Sequence, residues 1–296
     1  MKLLIEPPTW LGDSVMASGA IKELIDKIDA NEKIIFGSFV AVELLKGWFD
    51  KEIIFNKNQK IKEFLEFPQV DLFISFRRSL YSKLLGFKAK RAIFFDNSYL
   101  GHMVYKYSNY VNSILNQNRI YSPILDFKPK LFSKPTLGLN PGAAYGSAKR
   151  WYPKEFAKVA NELSHKYDII IFGGSLEKEI AKDIESELKI DNYLNLCGKL
   201  SIKELCEYIG GIDLFITNDS GPMHIAAAYN TPTVAIFGPT DFTETSPYSK
   251  SYKIVTKNLD CAPCKRRECP LKGANYHRCM KDIEAKDVLE AIRELI

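Results

Sequence analysis

The chain lacks any apolar run that approaches the roughly 18 residues needed for a membrane-spanning helix. Its first residues are also unlike a secretory signal peptide, because Glu6, Pro7 and Pro8 stand where the apolar region of such a peptide would be. We therefore expect a cytoplasmic protein without a transmembrane segment.

Several phosphate-binding signatures are absent as well. The glycine spacings fit neither a Walker loop nor a dinucleotide-binding fingerprint, and no Asp-x-Asp pair is present to hold a divalent ion between phosphates. Internal repeats and low-complexity tracts are lacking too. These absences exclude solenoid architectures and P-loop nucleotide hydrolases.

The composition is that of a globular protein with a sizeable core. Of 296 residues, 46% are hydrophobic and 26% are charged, and this length predicts two domains at about 150 residues each. The net charge of +5 and the pI near 8.7 are modest for a nucleic-acid-binding protein, but they suit anionic substrates or an acidic membrane surface.

Short apolar runs alternate with amphipathic helical patterns along the chain, beginning with a strand at residues 2–6, a helix at 14–28 and a strand at 33–37. This alternation predicts an α/β fold of two doubly wound, Rossmann-like domains that face a central cleft. Ligands of such domains bind at the carboxyl ends of the strands.

The domain boundary is predicted within the proline-containing stretch 122–135, which has the character of a linker. The first domain is expected at residues 1–128 and the second at 129–296. The second domain includes a cysteine-rich loop at 261–279 and a C-terminal helix.

The first strand leads into Trp10-Leu11-Gly12-Asp13. Gly12 permits a tight turn, and Asp13 is expected at the start of the following helix. An Asp at this position commonly caps the helix, but a carboxylate at the mouth of a cleft can also act as a general base. The spacing alone leaves both interpretations open.

The second domain opens with a small-residue loop, 140–151, between a strand and a helix. Such a loop presents backbone N–H groups to an anion, and Lys149 or Arg150 adds a full positive charge. An ordinary connecting loop would not need so many small residues beside two cations.

A later strand passes through Asp219 and Ser220 into a helix that begins near Pro222. The N-terminus of a helix is a natural seat for a diphosphate, because its N–H groups and its dipole favour negative charge. Capping by Asp219 or Ser220, and simple burial of His224, are the alternative explanations.

From residue 72 to residue 95 the chain contains no acid and six bases. The bases are Arg77, Arg78, Lys83, Lys88, Lys90 and Arg91. A basic run is usually a solvated face, but this one also suits a phosphorylated glycolipid, and its interleaved Phe and Leu side chains could rest against a membrane. Its aromatic residues lack the regular pattern that stacks on single-stranded nucleic acid.

Cys261, Cys264, Cys269 and Cys279 follow the spacing C-x2-C-x4-C-x9-C, with His277 near the last thiol. In a reducing compartment such a loop can wrap a structural zinc or iron rather than form disulfides. Reduced and packed thiols are an alternative of equal weight.

Taken together, these blocks resemble the lipopolysaccharide heptosyltransferases of glycosyltransferase family 9. The resemblance spans nearly the whole chain and rests on residues 10–13, 141–151, 172–175 and 217–224. It implies a GT-B fold with an N-terminal acceptor domain and a C-terminal ADP-heptose domain. It also implies an inverting transfer that needs no metal or other cofactor.

The resemblance further implies roles for individual residues. Asp13 matches the general base of the family, and Lys149 matches the lysine that contacts the donor phosphates, so both are candidate catalytic residues. The candidate donor-binding residues are Gly142, Ala143, Ala144, Lys149, Glu177, Asp219, Ser220, Gly221 and His224. The candidate acceptor-binding residues are Trp10, Gly12, Arg77 and Arg78.

These roles predict heptose transfer from ADP-heptose to a lipid A–Kdo–heptose acceptor, by an enzyme in peripheral contact with the inner face of the inner membrane. Nucleic acid is not an expected partner. The alternatives are another family 9 transferase with a different acceptor, and a nucleotide-sugar-binding protein without turnover.

Overall fold

The computed structural model describes residues 1–96 and 98–296 of the chain. It contains two compact units, Met1–Asp126 and Phe127–Ile296, each with its own parallel sheet. Within the described residues, no helix combines the length and the apolar character needed to cross a membrane.

The first unit is built on strands that pair in parallel. The strands are β1 (Lys2–Glu6), β2 (Glu32–Gly37), β3 (Lys51–Ile54), β4 (Val70–Ser75) and β5 (Ala89–Phe94). The helices are α1 (Leu11–Lys27), α2 (Phe39–Leu45), α3 (Lys60–Glu66), α4 (Leu80–Gly86) and α5 (Met103–Leu115). The strand order β3-β2-β1-β4-β5 places β1 and β4 where the order reverses. Successive residues Leu3, Leu4 and Ile5 of β1 are all buried, so both faces of the sheet are covered there.

The second unit repeats this plan with parallel pairings. The strands are β6 (Thr136–Asn140), β7 (Asp168–Ile171), β8 (Tyr193–Asn195), β9 (Leu214–Asn218), β10 (Thr233–Ile236) and β11 (Tyr252–Val255). The helices are α6 (Pro153–Leu163), α7 (Lys178–Glu185), α8 (Ile202–Gly211), α9 (Gly221–Tyr229), α10 (Phe242–Thr245), α11 (Arg278–Lys281) and α12 (Ala285–Leu295). The order β11-β10-β9-β6-β7-β8 places β6 and β9 at the reversal point.

Trp151 anchors the loop that leads from β6 to α6. Its ring is 1% exposed and packs edge-on against Phe156, with the ring centroids 4.8 Å apart. The indole N–H donates to the carbonyl of Ile283 at 2.9 Å, and the backbone N–H donates to Oδ1 of Asn218 at 3.1 Å. The residues just before Trp151 are therefore held close to the end of β9.

The alternation of strands and helices expected from the sequence is present in both units. Two details differ. Strand β11 at Tyr252–Val255 was not predicted, since it is an edge strand in which only Val255 is buried and its apolar pattern is weak. Helix α1 begins at Leu11 rather than at residue 14, because Trp10 has an extended backbone and its carbonyl already accepts the Ser14 N–H at 2.9 Å.

Candidate functional site

Asp13 lies in the first turn of α1, just after β1 in the first unit. Trp10 occupies the N-cap position without a capping side-chain hydrogen bond, so Asp13 is a residue of the first turn and not the cap. Its half-buried carboxylate accepts a hydrogen bond from the Tyr107 hydroxyl of α5 at 3.2 Å. Gly12 is buried in the same turn, whereas Trp10 is 52% exposed. A carboxylate held at this edge of the sheet is well placed to accept a proton from a bound ligand.

Glu6, at the end of β1, is a fully buried carboxylate. The Arg77 guanidinium pairs with it at 3.0 Å, and the hydroxyls of Ser75 and Ser82 also donate to it. Burial raises the pKa of the Glu6 carboxyl, and these donors oppose the shift. Arg77 is therefore engaged inside the unit, while its neighbour Arg78 is exposed.

The basic run and the helix before it in the chain also carry exposed large apolar side chains. Leu80, Leu84 and Phe87 occupy positions i, i+4 and i+7 along α4 and its C-terminal end, and are 81%, 49% and 83% exposed. On α3, Ile61 and Leu65 are 79% and 69% exposed. Residues adjoining both helices contribute to one buried cluster of the first unit. We call these five exposed side chains the apolar patch.

In the second unit, the ends of β6 and β9 lie side by side at the reversal point of the sheet. The Asn140 amide donates to the hydroxyl oxygens of Thr217 at 3.0 Å and Ser220 at 2.8 Å. The Asn218 amide donates in the other direction, to the carbonyl of Pro141 at 2.7 Å. These bonds join the two strand-end loops at the position where doubly wound folds bind their ligands.

Lys149 and Asp219 form an ion pair between these two loops, with Nζ and Oδ2 2.6 Å apart. Their side chains are 13% and 5% exposed, so water screens the pair only weakly. The Thr240 hydroxyl also donates to Oδ2 of Asp219 at 2.6 Å and thereby adds the loop after β10. Lys149 is thus held among three strand-end loops, where its ammonium group can meet an anion.

Helix α9 begins at Gly221, directly after these loops. Ser220 is the N-cap residue, with an extended backbone, and Pro222 lies in the first turn. His224, on the same helix, is 4% exposed. Because a helix N-terminus attracts negative charge, the start of α9 together with Lys149 can accommodate a diphosphate.

The remaining predicted donor residues differ in exposure. Gly142 and Ala143 are buried, and Ala144 is exposed. Glu177 is 7% exposed, and its carboxylate accepts the backbone N–H of Gly174 at 2.8 Å. A Cβ atom at Gly142 would lie 2.6 Å from Cγ of Glu177, so the absence of a side chain there lets Glu177 lie against the small-residue loop.

The cysteine loop surrounds a cavity of about 70 Å³. The lining thiols are Cys261, Cys264, Cys269 and Cys279, and each is free of a disulfide. Burial raises the pKa of Cys279 to about 11, and the neighbouring thiols add to the shift. Across residues 1–96 and 98–296, however, no group of three or more His, Cys, Asp or Glu side chains is placed to hold a metal ion. The four thiols share one cavity and have the chemistry of a zinc or iron site, and they would have to move closer together to bind an ion.

Two residues of these sites were missed by sequence reasoning. Thr240 follows β10 and lies at the same sheet edge as the two loops described above, so its place after a short apolar run could have identified it. Tyr107 lies on a helix without a motif, and its contact with Asp13 joins positions 94 residues apart. No local signal marks such a contact.

The model of glycosyltransferase family 9 (heptosyltransferase) matches residues 94–275. Lipooligosaccharide heptosyltransferase 2 of Campylobacter jejuni is 43% identical over an alignment of 317 residues, which covers 100% of this chain and 98% of that protein.

Two solved structures show the same fold. E. coli ADP-heptose LPS heptosyltransferase II has a TM-score of 0.80 at 22% identity, covering 100% of this chain and 98% of that one. E. coli heptosyltransferase WaaC with ADP has a TM-score of 0.71 at 13% identity and covers 100% of both chains. The expected GT-B fold is thereby confirmed.

Proposed function

We propose that this chain, which belongs to glycosyltransferase family 9, transfers heptose from ADP-L-glycero-D-manno-heptose to the inner core of lipopolysaccharide. The transfer inverts the anomeric configuration, and the reaction is of the heptosyltransferase II type. The observation that carries this proposal is the 43% identity, over the full length of the chain, to a lipooligosaccharide heptosyltransferase 2. The chain is accordingly a glycosyltransferase.

The second unit binds the donor in this proposal. Lys149 and the first turn of α9 hold the diphosphate and stabilise the negative charge that develops on ADP as it leaves. The ion pair with Asp219 supports this role, because it keeps the ammonium group in place in a poorly hydrated position. Asp219 and His224 help to hold the sugar and diphosphate. Glu177, which lies beside Gly142, binds the ribose.

Asp13 of the first unit is the proposed general base. It takes the proton of an acceptor hydroxyl, whose oxygen bonds to the anomeric carbon while the bond from that carbon to the ADP oxygen breaks. Attack on the face opposite the leaving group inverts the anomeric configuration. The hydrogen bond from Tyr107 supports this role, because it holds the carboxylate in one orientation.

The acceptor in this proposal is a lipid A precursor that carries Kdo and heptose. Trp10, Gly12 and Arg78 contact this acceptor. Arg77 contributes indirectly, through its ion pair with buried Glu6. This reaction routes no step through a metal. The four thiols of the cysteine loop are a candidate structural site for zinc or iron, apart from the chemistry.

Membrane contact completes the proposal. The protein is cytoplasmic and meets the inner face of the inner membrane through the apolar patch, since exposed Arg78 and Lys83 adjoin it and suit anionic lipid. Vesicles with anionic phospholipid should sediment the protein better than neutral vesicles, and the pair Leu80→Ser and Phe87→Ser should weaken this binding. Leu131→Ser, at a position 88% exposed in the second unit, is the matched control. Equal sedimentation of all variants would argue against the contact.

The decisive experiment measures ADP release from ADP-heptose with defined truncated lipopolysaccharides. We expect release only when the acceptor carries an inner-core heptose. Release with a different acceptor alone would identify another family 9 transferase. Release with none, despite measurable donor binding, would identify a nucleotide-sugar-binding protein without turnover.

A further inference from the structure

The cysteine loop packs against the loop that carries Lys149. The backbone N–H of Ala148 donates to the carbonyl of Arg267 at 3.0 Å. A side chain at Gly146 would collide with that same carbonyl, so the approach of the two backbones depends on glycine there. Gly146 itself has an extended backbone that other residues also adopt, so this close approach, and not its conformation, is what excludes a side chain.

His277 makes the second link. Its Nε2 lies 2.8 Å from the carbonyl oxygen of Ala148, and its Nδ1 lies 3.2 Å from the Tyr152 hydroxyl. A carbonyl oxygen can only accept, so Nε2 carries the proton, and in the neutral ring Nδ1 accepts from Tyr152. The ring is buried, and its backbone is left-handed with φ 54°. The backbone N–H of His277 donates to Sγ of Cys269 at 3.2 Å.

Both backbone polar groups of Ala148 are thus bound by the cysteine loop, and Lys149 is the next residue. Tyr145 adds a third link. Its ring centroid lies 5.0 Å from Nζ of Lys149 and 5.0 Å from the guanidinium of Arg267, and its hydroxyl donates to the carbonyl of Lys265 at 3.4 Å.

We infer that the cysteine loop is a brace that positions Lys149 for the donor diphosphate, and that His277 is its positioning residue. The inference rests on the proposed function. It assigns the loop a role in donor binding that is independent of whether its thiols hold a metal, because the links run through His277 and the Arg267 carbonyl.

The test uses His277→Asn in the full chain, with ADP affinity measured by calorimetry. Asn readily adopts the left-handed backbone of this position, but its side chain is too short to reach Ala148 as histidine does. Loss of this one buried hydrogen bond should lower the affinity for ADP by between about threefold and thirtyfold. His165→Asn is the matched control, since His165 is exposed and its Nδ1 lies 2.8 Å from the carbonyl oxygen of Glu162, three residues earlier in the same segment.

Further measurements separate positioning from general damage. Adenosine affinity and the KM for the acceptor should stay unchanged, while the KM for the donor rises. Combining His277→Asn with Lys149→Ala should weaken ADP no further than Lys149→Ala alone, within about twofold, because the brace acts through Lys149. Additive losses, or unchanged ADP affinity in a folded His277→Asn protein, would overturn the inference.

A second variant keeps the inference testable if His277→Asn does not fold. Gly146→Ala places a methyl group against the Arg267 carbonyl and should weaken ADP in the same way, whereas Gly47→Ala, which meets nothing within 4 Å, should not. Unchanged ADP affinity in Gly146→Ala would reject the brace. The proposed donor site itself fails only if Lys149→Ala leaves ADP affinity unchanged.

Discussion

The hydroxyl of Tyr107 donates a hydrogen bond to Oδ1 of Asp13 at 3.2 Å, which joins α5 to the first turn of α1. The Tyr107 ring is buried against Phe76 and Phe95, with centroids 5.9 Å and 5.3 Å away. Burial raises the pKa of the Tyr107 phenol well above its usual value, and the Asp13 carboxylate adds to the shift. The phenol therefore stays protonated and remains a donor wherever the enzyme is expected to work.

Asp13→Asn should leave ADP-heptose affinity nearly intact while turnover falls by roughly 10² to 10⁴-fold, as expected when a general base is removed. Single-turnover kinetics with saturating donor and acceptor measures the loss. Asp26→Asn, on the same helix and paired with Lys22 at the surface, is the control and should keep full activity. Near-normal turnover of Asp13→Asn would leave Asp13 with a structural role alone.

Tyr107→Phe should lower turnover by about tenfold, which is less than Asp13→Asn, because only one orienting hydrogen bond is lost. Tyr110→Phe is the control, since that hydroxyl donates to the backbone carbonyls of Ser75 and Ile93 and not to Asp13. Steady-state rates of both variants, normalised to the folded fraction, should separate them. Equal rates would show that the orientation of Asp13 does not depend on Tyr107.

Lys149→Ala should weaken ADP and ADP-heptose by about tenfold or more and leave adenosine affinity unchanged, because the partner of the ammonium group is phosphate. Calorimetric titration of the three ligands makes the comparison. Lys154→Ala, at an exposed position of α6, should change none of them. Equal losses for all three ligands would point to damaged folding.

Arg77→Leu should lower the free energy of unfolding by about 3 kcal/mol near neutral pH, because it leaves Glu6 buried without its cation. The folded pKa of Glu6 lies above its ordinary value of 4.5, so the folded state favours the protonated form. The loss of stability should therefore be small where Glu6 is protonated in the folded protein and grow as the pH rises through its folded pKa. Urea unfolding at about pH 5 and about pH 7.5 measures this trend.

Arg78→Leu is the matched variant and should change stability by no more than about 0.5 kcal/mol. The KM for the lipid acceptor should respond in the opposite order, changing more when Arg78 is substituted than when Arg77 is. Arg78→Glu should raise the KM for the lipid acceptor, with an effect that shrinks in high salt, because Arg78 is exposed. An unchanged acceptor KM would assign Arg78 to the solvated face.

Elemental analysis of protein purified without added metal should find about one zinc or iron ion per chain, with each thiol of the cysteine loop drawn to about 2.3 Å from the ion. Cys264→Ser should release the ion and lower the melting temperature, while turnover at low temperature persists. Cys206→Ala, in the buried core of the second unit, should keep the ion. Metal-free wild type with four titratable thiols would reject this site.

The sequence by itself determined the parallel α/β architecture and the places of the strand-end loops. The run Leu214–Asn218 begins with three successive apolar residues, is buried at every position and is followed by a helix pattern, which is the local signature of a covered parallel sheet. The role of the small residues at 142–144 and the start of α9 could likewise be predicted from the neighbouring sequence. Their chemistry depends on backbone conformation, which nearby residues dictate.

Only the tertiary structure decided which charged and polar side chains meet. Within one run of bases, Arg77 turns inward to Glu6 while Arg78 stays exposed, and the sequence of the run does not distinguish them. The pairing of Lys149 with Asp219 depends on β9 lying beside β6, and the contact of His277 with Ala148 depends on how the cysteine loop packs. Such contacts join residues far apart in the chain, so strand order and packing create them and local propensity does not.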